Sequence, residues 1–479
     1  MPQIDAPIPS RRKTKIVCTI GPATASYEGI KSLIEAGMGV VRLNMSHADH
    51  KGAREIIRWV KNLNRQVPFP VPIMLDTQGP EIRTGMLNQP MELSSGEIVT
   101  ISVRADSDVE ETSIHVNYRE LVDVLSVGDK VTVDNGLINF EVLEKQGEHM
   151  VCRVLDGGKL GSKKHVNLPG IKVNLPAITA KDRADILFGL EHDIDFVALS
   201  FVRSADDIDE LRELLGSKAK SVQIIAKIED QEGVSNIHQI VRVADGVMVA
   251  RGDLGIETNL ADLPNVQRRI VHACAKQGKR CIVATHLLES MIENPIPTRA
   301  EVTDVANAIY EGVDAVMLSG ETSVGKHPSR CVDQLVEISQ RSERWPGLGY
   351  EKELRSETDK QHLAVHAVAL AEAVHAAGIV VITRRGIMAD MVTSARPRRV
   401  PIFAFTNHSQ TRRRLSINRA VHPYRTTFST DPEKTLQRAF KVLMEREGLD
   451  GTAKVVVISD VLAETPTDAI QIRQLTNAV

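Results

Sequence analysis

The sequence predicts an α/β protein built on a closed (β/α)8 barrel, with a small β-barrel domain inserted in the third βα loop and an open-sheet α/β domain after the barrel. Three observations lead to this fold class. Eight short apolar runs alternate with stretches of helical period, one interval between runs is far too long for a single crossover, and the pattern changes near residue 345. Eight alternating units are the number that closes such a barrel.

The eight apolar runs predict the barrel strands. Most of them are continuously apolar, as expected for strands buried on both faces of a parallel sheet. Glycine precedes several runs at the place where a helix C-cap belongs, as at Gly37 and Gly278. The strands of this TIM barrel are predicted at Lys15–Ile20, Val40–Ser46, Pro72–Gln78, Phe196–Val202, Gln223–Glu229, Gly246–Arg251, Arg280–His286 and Ala315–Glu321.

The interval between the third and fourth runs is about 118 residues long, which is far beyond one crossover helix. It contains short β-like runs separated by turn signals such as Asp134-Asn135-Gly136. We therefore expect a small β-barrel domain in the third βα loop, where it would act as a lid over the face that carries barrel active sites. Its strands are predicted at Glu97–Val103, Lys130–Val133, Leu137–Val142 and Val151–Leu155.

After Trp345-Pro346-Gly347 the pattern becomes that of a separate α/β domain with an open sheet. Helices are expected at Leu363–Ala377 and Pro432–Glu447, and strands at Ile379–Thr383, Pro401–Thr406, Val421–Arg425 and Lys454–Ser459. The expected division is a flexible tail at 1–10, the barrel at 11–79 and 177–345, the lid at 80–176, and a C-terminal regulatory domain at 346–479.

Composition excludes several classes of protein. With 479 residues, 42% hydrophobic and 25% charged, the chain has the length of about three globular domains. A net charge of −3 and 3% aromatic residues give no basis for nucleic-acid or membrane binding. The N-terminus has no apolar signal core, and no apolar run approaches ~18 residues. We expect a cytoplasmic protein, because its cysteines are odd in number and scattered, at Cys18, Cys152, Cys274, Cys281 and Cys331.

Polar residues follow seven of the predicted barrel strands. One polar residue at a strand end is usually a cap, but seven sets that combine lysine and arginine with carboxylates are hard to explain in that way. Closing the barrel brings them to one mouth. The sets are 42–47 after strand two, 76–78 with Glu81 and Arg83 after strand three, Ser200, 227–229, 251–253, 285–286 and 319–321.

This inventory suits phosphoryl transfer, which needs cations to neutralise the transferring group and carboxylates to hold a divalent metal. Glu229 and Asp253 offer hard oxygen ligands for Mg²⁺. Lys227 lies two residues before Glu229 on one strand, so both side chains point the same way. Arg42 and Arg83 add planar forks for phosphate. The Walker A and G-x-G-x-x-G nucleotide motifs are both absent from the sequence.

A second oxygen-rich cluster comprises Asn44, Ser46, Asp76 and Thr77, with one negative charge. Its composition suits a monovalent cation. From spacing alone, ordinary hydrogen bonding at the strand ends explains the cluster better.

Several long ordered motifs resemble the pyruvate kinase family. The resemblance is strong over residues 11 to 345 and weaker beyond. It implies phosphoryl transfer from phosphoenolpyruvate to ADP, the last step of glycolysis, by a homotetramer that uses Mg²⁺ (or Mn²⁺) and K⁺ and is under allosteric control. The motifs are RKTKIVCTIGPAT at 12–24, RLNMSH at 42–47, LDTQGPEIRTG at 75–85, GSKKHVNLPGIKVNLPAIT at 161–179, AKIED at 226–230, MVARGDLGIE at 248–257, ATHLLESM at 284–291, NPIPTRAEVTDVANAI at 294–309 and MLSGETSVGKHP at 317–328.

The resemblance also implies roles for individual residues. Lys227 would stabilise the transferring phosphoryl group, Gly252 and Thr285 would contact the substrate carboxylate, and Thr285 would lie near the point of enolate protonation. The binding residues that the resemblance implies are Glu229 and Asp253 for Mg²⁺; Asn44, Ser46, Asp76 and Thr77 for K⁺; Arg42, Lys227, Gly252, Asp253 and Thr285 for phosphoenolpyruvate; and Asn44, His47, Arg83 and Lys164 for the nucleotide.

Glu81 bears on the cation. In this family a glutamate at its place goes with K⁺ dependence, whereas a lysine supplies the charge internally, so we expect K⁺ activation. The chain departs from the family pattern at His286, Gln78 and Met45, where Gln, Lys and Phe are usual. None of these departures removes a catalytic group, although His286 could alter hydrogen bonding near Thr285.

The C-terminal domain departs further from the family. Many relatives carry a phosphate-binding loop of the form T-x-S-G-x-[ST]-A, and this chain has Thr383-Arg384-Arg385-Gly386-Ile387-Met388-Ala389. The two arginines could bind the phosphate of a sugar-phosphate or nucleotide effector or could be solvated. A second basic group, Arg412-Arg413-Arg414, is expected to be a solvated helix face or a subunit contact.

Two other functions remain open on the sequence. One is a carbon–carbon lyase or aldolase on the same barrel, with Lys227 as a Schiff base or a metal-held enolate. The other is a non-catalytic sensor, against which the intact set of Lys227, Glu229, Asp253 and Thr285 argues.

Overall fold

The structure is a computed structural model and describes residues 12–103, 109–110, 113–459 and 469–476. The tail predicted at 1–10 lies outside these residues. No helix in the described ranges has the length and apolar character needed to cross a bilayer.

Eight parallel strands close into a barrel, as predicted. Each strand ends one to three residues before the end of its predicted run, because the last polar residues of each run belong to the loops at the barrel mouth. The barrel strands, numbered here in chain order, are Lys15–Thr19, Val40–Asn44, Ile73–Asp76, Phe196–Leu199, Gln223–Ile228, Gly246–Ala250, Arg280–Ala284 and Ala315–Leu318.

Helices surround the barrel and bury their apolar faces against it. Two of them end at glycines with positive φ, Gly37 at 121° and Gly278 at 66°, in agreement with the predicted C-caps. The α-helices of this unit are Tyr27–Ala36, His50–Leu63, Ala180–Glu191, Ala205–Leu215, Gln231–Ser235, Ile237–Val243, Arg251–Glu257, Leu263–Gln277, Arg299–Tyr310, Gly320–Ser323 and Pro328–Ser342, and the 3-10 helices are Gly216–Lys220, Leu260–Asp262, Glu289–Ile292 and Tyr350–Glu353.

The inserted segment forms its own barrel-like β-structure with a separate core. All four predicted strands are present, and the first strand of the longest hairpin extends further than predicted, to Gln146. The short strands that the pattern missed have only two to four residues each. The elements are strands Met86–Leu87, Met91–Leu93, Ile98–Val103, Val109–Glu110, Ser113–Val116, Lys130–Val133, Ile138–Gln146, His149–Asp156, Gly158–Leu160 and Val166–Asn167, with helix Leu121–Val124.

The C-terminal domain is an open five-stranded sheet with helices on both faces. The four predicted strands pair in parallel, and a fifth, Ala469–Gln474, is antiparallel and was missed because it is a short, largely polar edge strand with only two strongly apolar residues. Its elements are strands Gly378–Ile382, Ile402–Thr406, Val421–Arg425, Lys454–Ser459 and Ala469–Gln474, α-helices Asp359–Ala373, Ile387–Ser394, Ser409–Arg414 and Pro432–Glu447, and the 3-10 helix Leu415–Ile417.

The C-terminal domain packs against the N-terminal ends of the barrel strands. Ile417 is fully buried among side chains of the barrel interior, and Ala420 N donates to Lys13 O at 3.0 Å. Lys15 Nζ donates to the carbonyl of Val421 at 2.7 Å. These contacts join the domain to the face of the barrel opposite the predicted active site.

The three consecutive arginines of this domain are not a solvated helix face, so that alternative is wrong, while the alternative of a subunit contact stays a prediction. Arg413 donates through Nε to both oxygens of Asp195, at 2.8 and 3.1 Å, just before the fourth strand. Arg412 donates to the carbonyl of Pro68 at 2.6 Å, and Arg414 donates to the carbonyl of Arg385. Consecutive helical residues point about 100° apart, so each arginine reaches a different partner.

Candidate active site

A cleft of about 530 Å³ opens at the C-terminal ends of the barrel strands, between the barrel and the inserted domain. We call it the mouth cleft. Nine of the thirteen predicted site residues line it, namely Arg42, Asn44, Ser46, His47, Arg83, Lys164, Lys227, Glu229 and Asp253. Of the other four, Asp76 and Thr77 are buried beside it, and Gly252, in the first turn of the helix Arg251–Glu257, lies next to Thr285 in the loop after the seventh strand.

Lys227 is held by three oxygen partners at the bottom of the mouth cleft. Its Nζ lies 3.0 Å from Asp76 Oδ1, 2.9 Å from Glu229 Oε1 and 2.7 Å from Ser200 Oγ. Burial alone would lower the pKa of the Lys227 ammonium, but the carboxylates of Asp76 and Glu229 outweigh burial and raise it above its ordinary value. The ammonium therefore stays charged at any physiological pH.

Asp76 joins this lysine to Arg42. Arg42 Nε donates to Asp76 Oδ2 at 2.5 Å, and its NH1 donates to Thr19 Oγ1 at 2.9 Å. Asp76 is fully buried, and burial would raise its pKa, yet Arg42 and Lys227 together lower it. Its Oδ1 has the close ammonium but no partner with hydrogen-bond geometry. One coordination position of a buried carboxylate oxygen is thus left open.

Glu229 and Asp253 form a pair of neighbouring carboxylates, of which Glu229 is buried and Asp253 is half-buried. Phe201 N donates to Glu229 Oε2 at 2.7 Å, and Asp253 lies in the first turn of the helix Arg251–Glu257. Burial raises the pKa of Glu229 to about 7, with Asp253 adding to the rise, and burial also raises the pKa of Asp253. Two carboxylates in this state favour a cation between them, since a divalent ion relieves both burial and mutual repulsion.

The loop after the seventh strand has unusual backbone geometry. Thr285 and His286 have φ values of 67° and 53°, and Thr285 is β-branched, for which this region is strained. Its hydroxyl accepts from Gly252 N at 2.7 Å and donates to Ala284 O at 2.6 Å. Arg251 fixes the loop by donating to the Thr285 carbonyl at 2.7 Å. These bonds hold the strained backbone in place, so that the threonine hydroxyl lies beside a backbone N–H.

The second oxygen cluster is assembled from two neighbouring strands. The strand register places Asn44 directly opposite Asp76. Asn44 Oδ1 accepts from Ser46 N at 3.2 Å, and Thr77 Oγ1 accepts from Ser200 N at 3.0 Å. The expected strand-end hydrogen bonds are therefore present, and the strand register places Asn44 beside the carboxylate of Asp76.

The predicted cations of the inserted domain already have acidic partners. Arg83 donates to Glu81 Oε2 at 2.6 Å, and Lys164 Nζ lies 2.9 Å from Asp134 Oδ2. Gln78 also donates to Glu81, at 2.8 Å. Burial would raise the pKa of Glu81, but its bonds to Arg83 and Gln78 lower it, so the carboxylate is ionised.

Three functional positions were not assigned from the sequence. Ser200 was noted only as a strand end, and Asp134 only as part of a turn. Asp182 gave no signal in the sequence beyond the spacing of a helix cap. In the structure its Oδ1 accepts from Gln78 N and Gly79 N at 3.0 and 3.1 Å. Its Oδ2 accepts from Thr179 N and Oγ1 at 3.0 and 2.6 Å. Asp182 thus binds both the chain that leaves the barrel for the inserted domain and the chain that returns.

The fold and the site together define a barrel enzyme with an inserted lid and a mouth that carries paired cations and carboxylates. The profile of the family described as "Pyruvate kinase, barrel domain" matches residues 11–332, and that of "Pyruvate kinase, alpha/beta domain" matches residues 361–473.

Curated relatives agree with the family profiles. The chain is 39% identical to a pyruvate kinase of Dictyostelium discoideum over 99% of this chain and 96% of that protein. It is 44% identical to a pyruvate kinase of Geobacillus stearothermophilus over 94% and 77%, and 38% identical to one of Clostridium perfringens over 91% and 94%. The chain belongs to the pyruvate kinase family and is a phosphotransferase.

Proposed function

We propose that this protein transfers the phosphoryl group of phosphoenolpyruvate to ADP, giving pyruvate and ATP, as the last step of glycolysis. We further propose that it acts in the cytoplasm as a homotetramer, with the lid at 80–176 and the regulatory domain at 346–479. The observation that carries the proposal is the position of the Lys227 ammonium, held between Asp76, Glu229 and Ser200 next to the Glu229–Asp253 pair.

Lys227 and Arg42 are the cations for the phosphoryl group. Their partners fix both side chains before substrate arrives, so little reorganisation is needed when charge develops on the transferring oxygens. The phosphoryl group passes from the enol oxygen to the terminal phosphate of ADP, which leaves the enolate of pyruvate. That enolate takes up a proton at its methylene carbon, and Thr285 lies near this carbon in the proposal.

Thr285 and Gly252 receive the substrate carboxylate. Gly252 N–H donates to Thr285 Oγ1 at 2.7 Å in the structure. A carboxylate oxygen could accept from both the N–H and the hydroxyl if this internal bond were given up. The strained backbone at Thr285 favours such an exchange because its geometry is already set for binding rather than for chain packing.

Glu229 and Asp253 are the ligands for Mg²⁺ (or Mn²⁺). Their neighbouring carboxylates, whose pKa values burial raises, fit a small divalent ion that takes one or two protein carboxylates and fills its other positions with water and phosphate oxygens. When bound, the ion neutralises charge on the phosphoryl oxygens.

Asn44, Ser46, Asp76 and Thr77 are the ligands for K⁺. The all-oxygen donor set and the open position on Asp76 Oδ1 fit a monovalent cation. The ionised Glu81 supports K⁺ dependence, since no fixed ammonium stands at that place.

Asn44, His47, Arg83 and Lys164 bind the nucleotide. Arg83 and Lys164 are paired with Glu81 and Asp134, and closure of the lid on ADP would exchange these partners for phosphate oxygens. A sugar-phosphate or nucleotide effector remains part of the proposal, with the exposed Arg384 and Arg385 as its candidate cations.

The lyase or aldolase alternative finds less support. A Schiff base requires a neutral lysine amine, and the pKa of Lys227 is raised above its ordinary value by Asp76 and Glu229. Borohydride treatment with pyruvate should therefore leave Lys227 unmodified, and covalent trapping at Lys227 would favour the lyase.

The test is a coupled assay of pyruvate formation from phosphoenolpyruvate and ADP. We expect Lys227→Ala to lose activity by about 10²- to 10³-fold or more, because the main cation for the transferring group is gone. Lys51→Ala, which removes an exposed lysine from a barrel helix, is the matched control and should keep full rate. A folded Lys227→Ala protein with full activity would contradict the proposal.

A further inference from the structure

A second, larger cleft lies on the opposite side of the barrel, where the C-terminal domain meets it. Its volume is about 830 Å³, and we call it the basic cleft. Its walls come from the chain before the first barrel strand, the ends of two barrel helices and two loops of the C-terminal domain. The segments that line it include 12–13, 309–312, 342–347, 396–401 and 419–420.

Positive charge predominates in the basic cleft. Its lining contains seven lysine and arginine residues and three glutamates, one of which is Glu343. The carboxylate of Glu343 is already engaged within the fold, because it accepts from the backbone N–H groups of Lys13 and Thr14 at 2.9 and 2.6 Å. The basic residues are Arg12, Lys13, Arg344, Arg396, Arg398, Arg399 and Arg419.

Several of these cations have internal partners. Arg396 donates to both oxygens of the buried Asp314, at 2.7 and 2.6 Å. Arg12 donates to the carbonyls of Thr14 and Gly37, at 2.5 and 2.7 Å. These residues shape the walls of the cleft but have little capacity left for a ligand.

Arg419 is different. Its side chain is nearly buried, with the residue 9% exposed, and its Nε has no partner. Its guanidinium makes no hydrogen bond or ion pair with any residue that the structure describes. A buried guanidinium without an acceptor is costly, because it gives up water and receives no oxygen in return. Arg399 at the rim is exposed, and its side chain likewise has no ion pair within the described ranges.

Burial acts against the charged form of the basic groups around Arg419. Burial lowers the pKa of Lys13 to about 8, and Arg419 lowers it further, whereas Glu343 opposes this shift. Burial and Arg396 lower the pKa of Arg419, although the carboxylates of Glu343, Asp314 and Glu351 raise it. None of these carboxylates accepts a hydrogen bond from the Arg419 side chain among the described residues, and a bound anion would supply the acceptor that its Nε lacks.

We propose that the basic cleft binds a small metabolite that carries a phosphate group, with Arg419 donating to the phosphate from the floor and Arg399 from the rim. A phosphate dianion matches the surplus of cations better than a single carboxylate, and guanidinium forks suit its oxygens. The volume leaves room for an organic body beyond the phosphate. The site goes beyond the proposed function and is separate from the loop at 383–386, no residue of which lines this cleft.

The chain carries its own optical reporter for this site. Trp345 lines the basic cleft and is 44% exposed, and the sequence has only two tryptophans. The other, Trp59, lies on a barrel helix, so Trp59→Phe in the full-length protein leaves Trp345 as the single source of tryptophan fluorescence. We would titrate this protein with inorganic pyrophosphate, glycerol 3-phosphate and succinate at constant ionic strength.

We expect a saturable change in Trp345 fluorescence with the two phosphate compounds and none with succinate. Arg419→Gln should weaken binding by about tenfold or more, since one charge-assisted pair is lost, and Arg399→Ala should weaken it severalfold. Arg58→Ala, which removes an exposed arginine from the barrel helix His50–Leu63 and does not line the basic cleft, is the matched control and should bind as before.

Three results would overturn the proposal. They are a titration without saturation, equal affinities in the Arg399→Ala and unsubstituted proteins, and succinate binding as tightly as the phosphates. If Arg419→Gln does not fold, the comparison of Arg399→Ala with Arg58→Ala still decides, because both residues are exposed and carry no internal ion pair among the described residues. Phosphate bound in the mouth cleft would be indifferent to both variants.

Discussion

Arg413→Ala should destabilise the contact between the C-terminal domain and the barrel. Asp195, its partner, is fully buried and has one other hydrogen bond, from Ile73 N at 3.0 Å. Removing one member of a buried ion pair costs about 3–5 kcal/mol, because the remaining charge is left without compensation. The Arg413 side chain is 25% exposed, so we expect the lower end, about 3 kcal/mol of unfolding free energy at pH 8.

The cost should depend on pH. Burial, opposed by Arg413, raises the pKa of Asp195 to about 6, which is above that of the unfolded chain. The folded state therefore binds more protons between about pH 4 and pH 6, and stability falls as pH rises through this window. Without Arg413, the pKa of Asp195 in the folded state rises further, and the pH range over which stability falls extends to higher pH. The penalty of the substitution should be small at pH 5.5, where Asp195 is largely protonated, and complete at pH 8.

The assay is urea unfolding at pH 5.5 and pH 8, following the first transition by circular dichroism. Arg412→Ala is the matched control, because Arg412 donates to the carbonyls of Pro68 and Pro423 and not to a carboxylate. Its penalty should be the same at both pH values. An Arg413→Ala penalty that is equal at the two pH values, or below about 1 kcal/mol at pH 8, would refute the reasoning.

Two further predictions concern the mouth of the barrel. Activity of the unsubstituted protein should fall roughly tenfold or more when K⁺ is replaced by tetramethylammonium at equal ionic strength. In Glu81→Lys the rate in the coupled assay should not change with this exchange, because a fixed ammonium replaces the ion. An unsubstituted protein whose activity is the same in both salts would contradict the K⁺ prediction. Asp182→Asn should lower the free energy of unfolding by about 2 kcal/mol and slow catalysis, since Thr179 N and Oγ1 lose their carboxylate acceptor. Asp206→Asn, which changes an exposed carboxylate in the first turn of another helix, is the control for both stability and rate. Equal stability and rate in the two variants would show that the bonds of Asp182 to the leaving and returning chain do not matter.

The sequence was sufficient to predict the barrel because its strands are buried on both faces. Such strands leave continuous apolar runs that helices on the outside separate at regular intervals. The ends of the strands were harder, since a polar residue just past a strand and one inside it look alike in the sequence. Asp76 is the last residue of its strand, whereas Glu229 lies in the loop after its strand.

The mouth residues were predictable as a set because parallel strands end at one face of a barrel. Their pairings were not. Ser200 binds Lys227 from a neighbouring strand, and Asp134 binds Lys164 across a turn of the inserted domain. Such contacts depend on barrel register and on side-chain direction, neither of which leaves a periodic signal in the chain.

The three arginines at 412–414 show the same limit at a domain contact. Three successive charges resemble a solvated surface when each is taken as part of a run. In the helix Ser409–Arg414 they point in different directions, and only the folded structure brings Asp195 to Arg413. Asp195 itself lies just before an apolar run, where an acidic residue is an ordinary start to a strand.

The Arg413–Asp195 pair also bears on catalysis. Asp195 precedes the fourth barrel strand and accepts from Ile73 at the start of the third, and the opposite ends of these two strands carry Ser200 and Asp76, both partners of Lys227. Each strand spans only about 13 Å, so a shift at one end reaches the other with little loss. Spatial connection alone does not establish coupling, and kinetics must decide it. At pH 8 we expect Arg413→Ala to lower kcat severalfold relative to Arg412→Ala while the KM for phosphoenolpyruvate changes little, because the displaced ammonium matters most where charge develops. An unchanged kcat in a protein that is measurably destabilised would show that the Arg413–Asp195 pair stabilises the fold and does not affect catalysis.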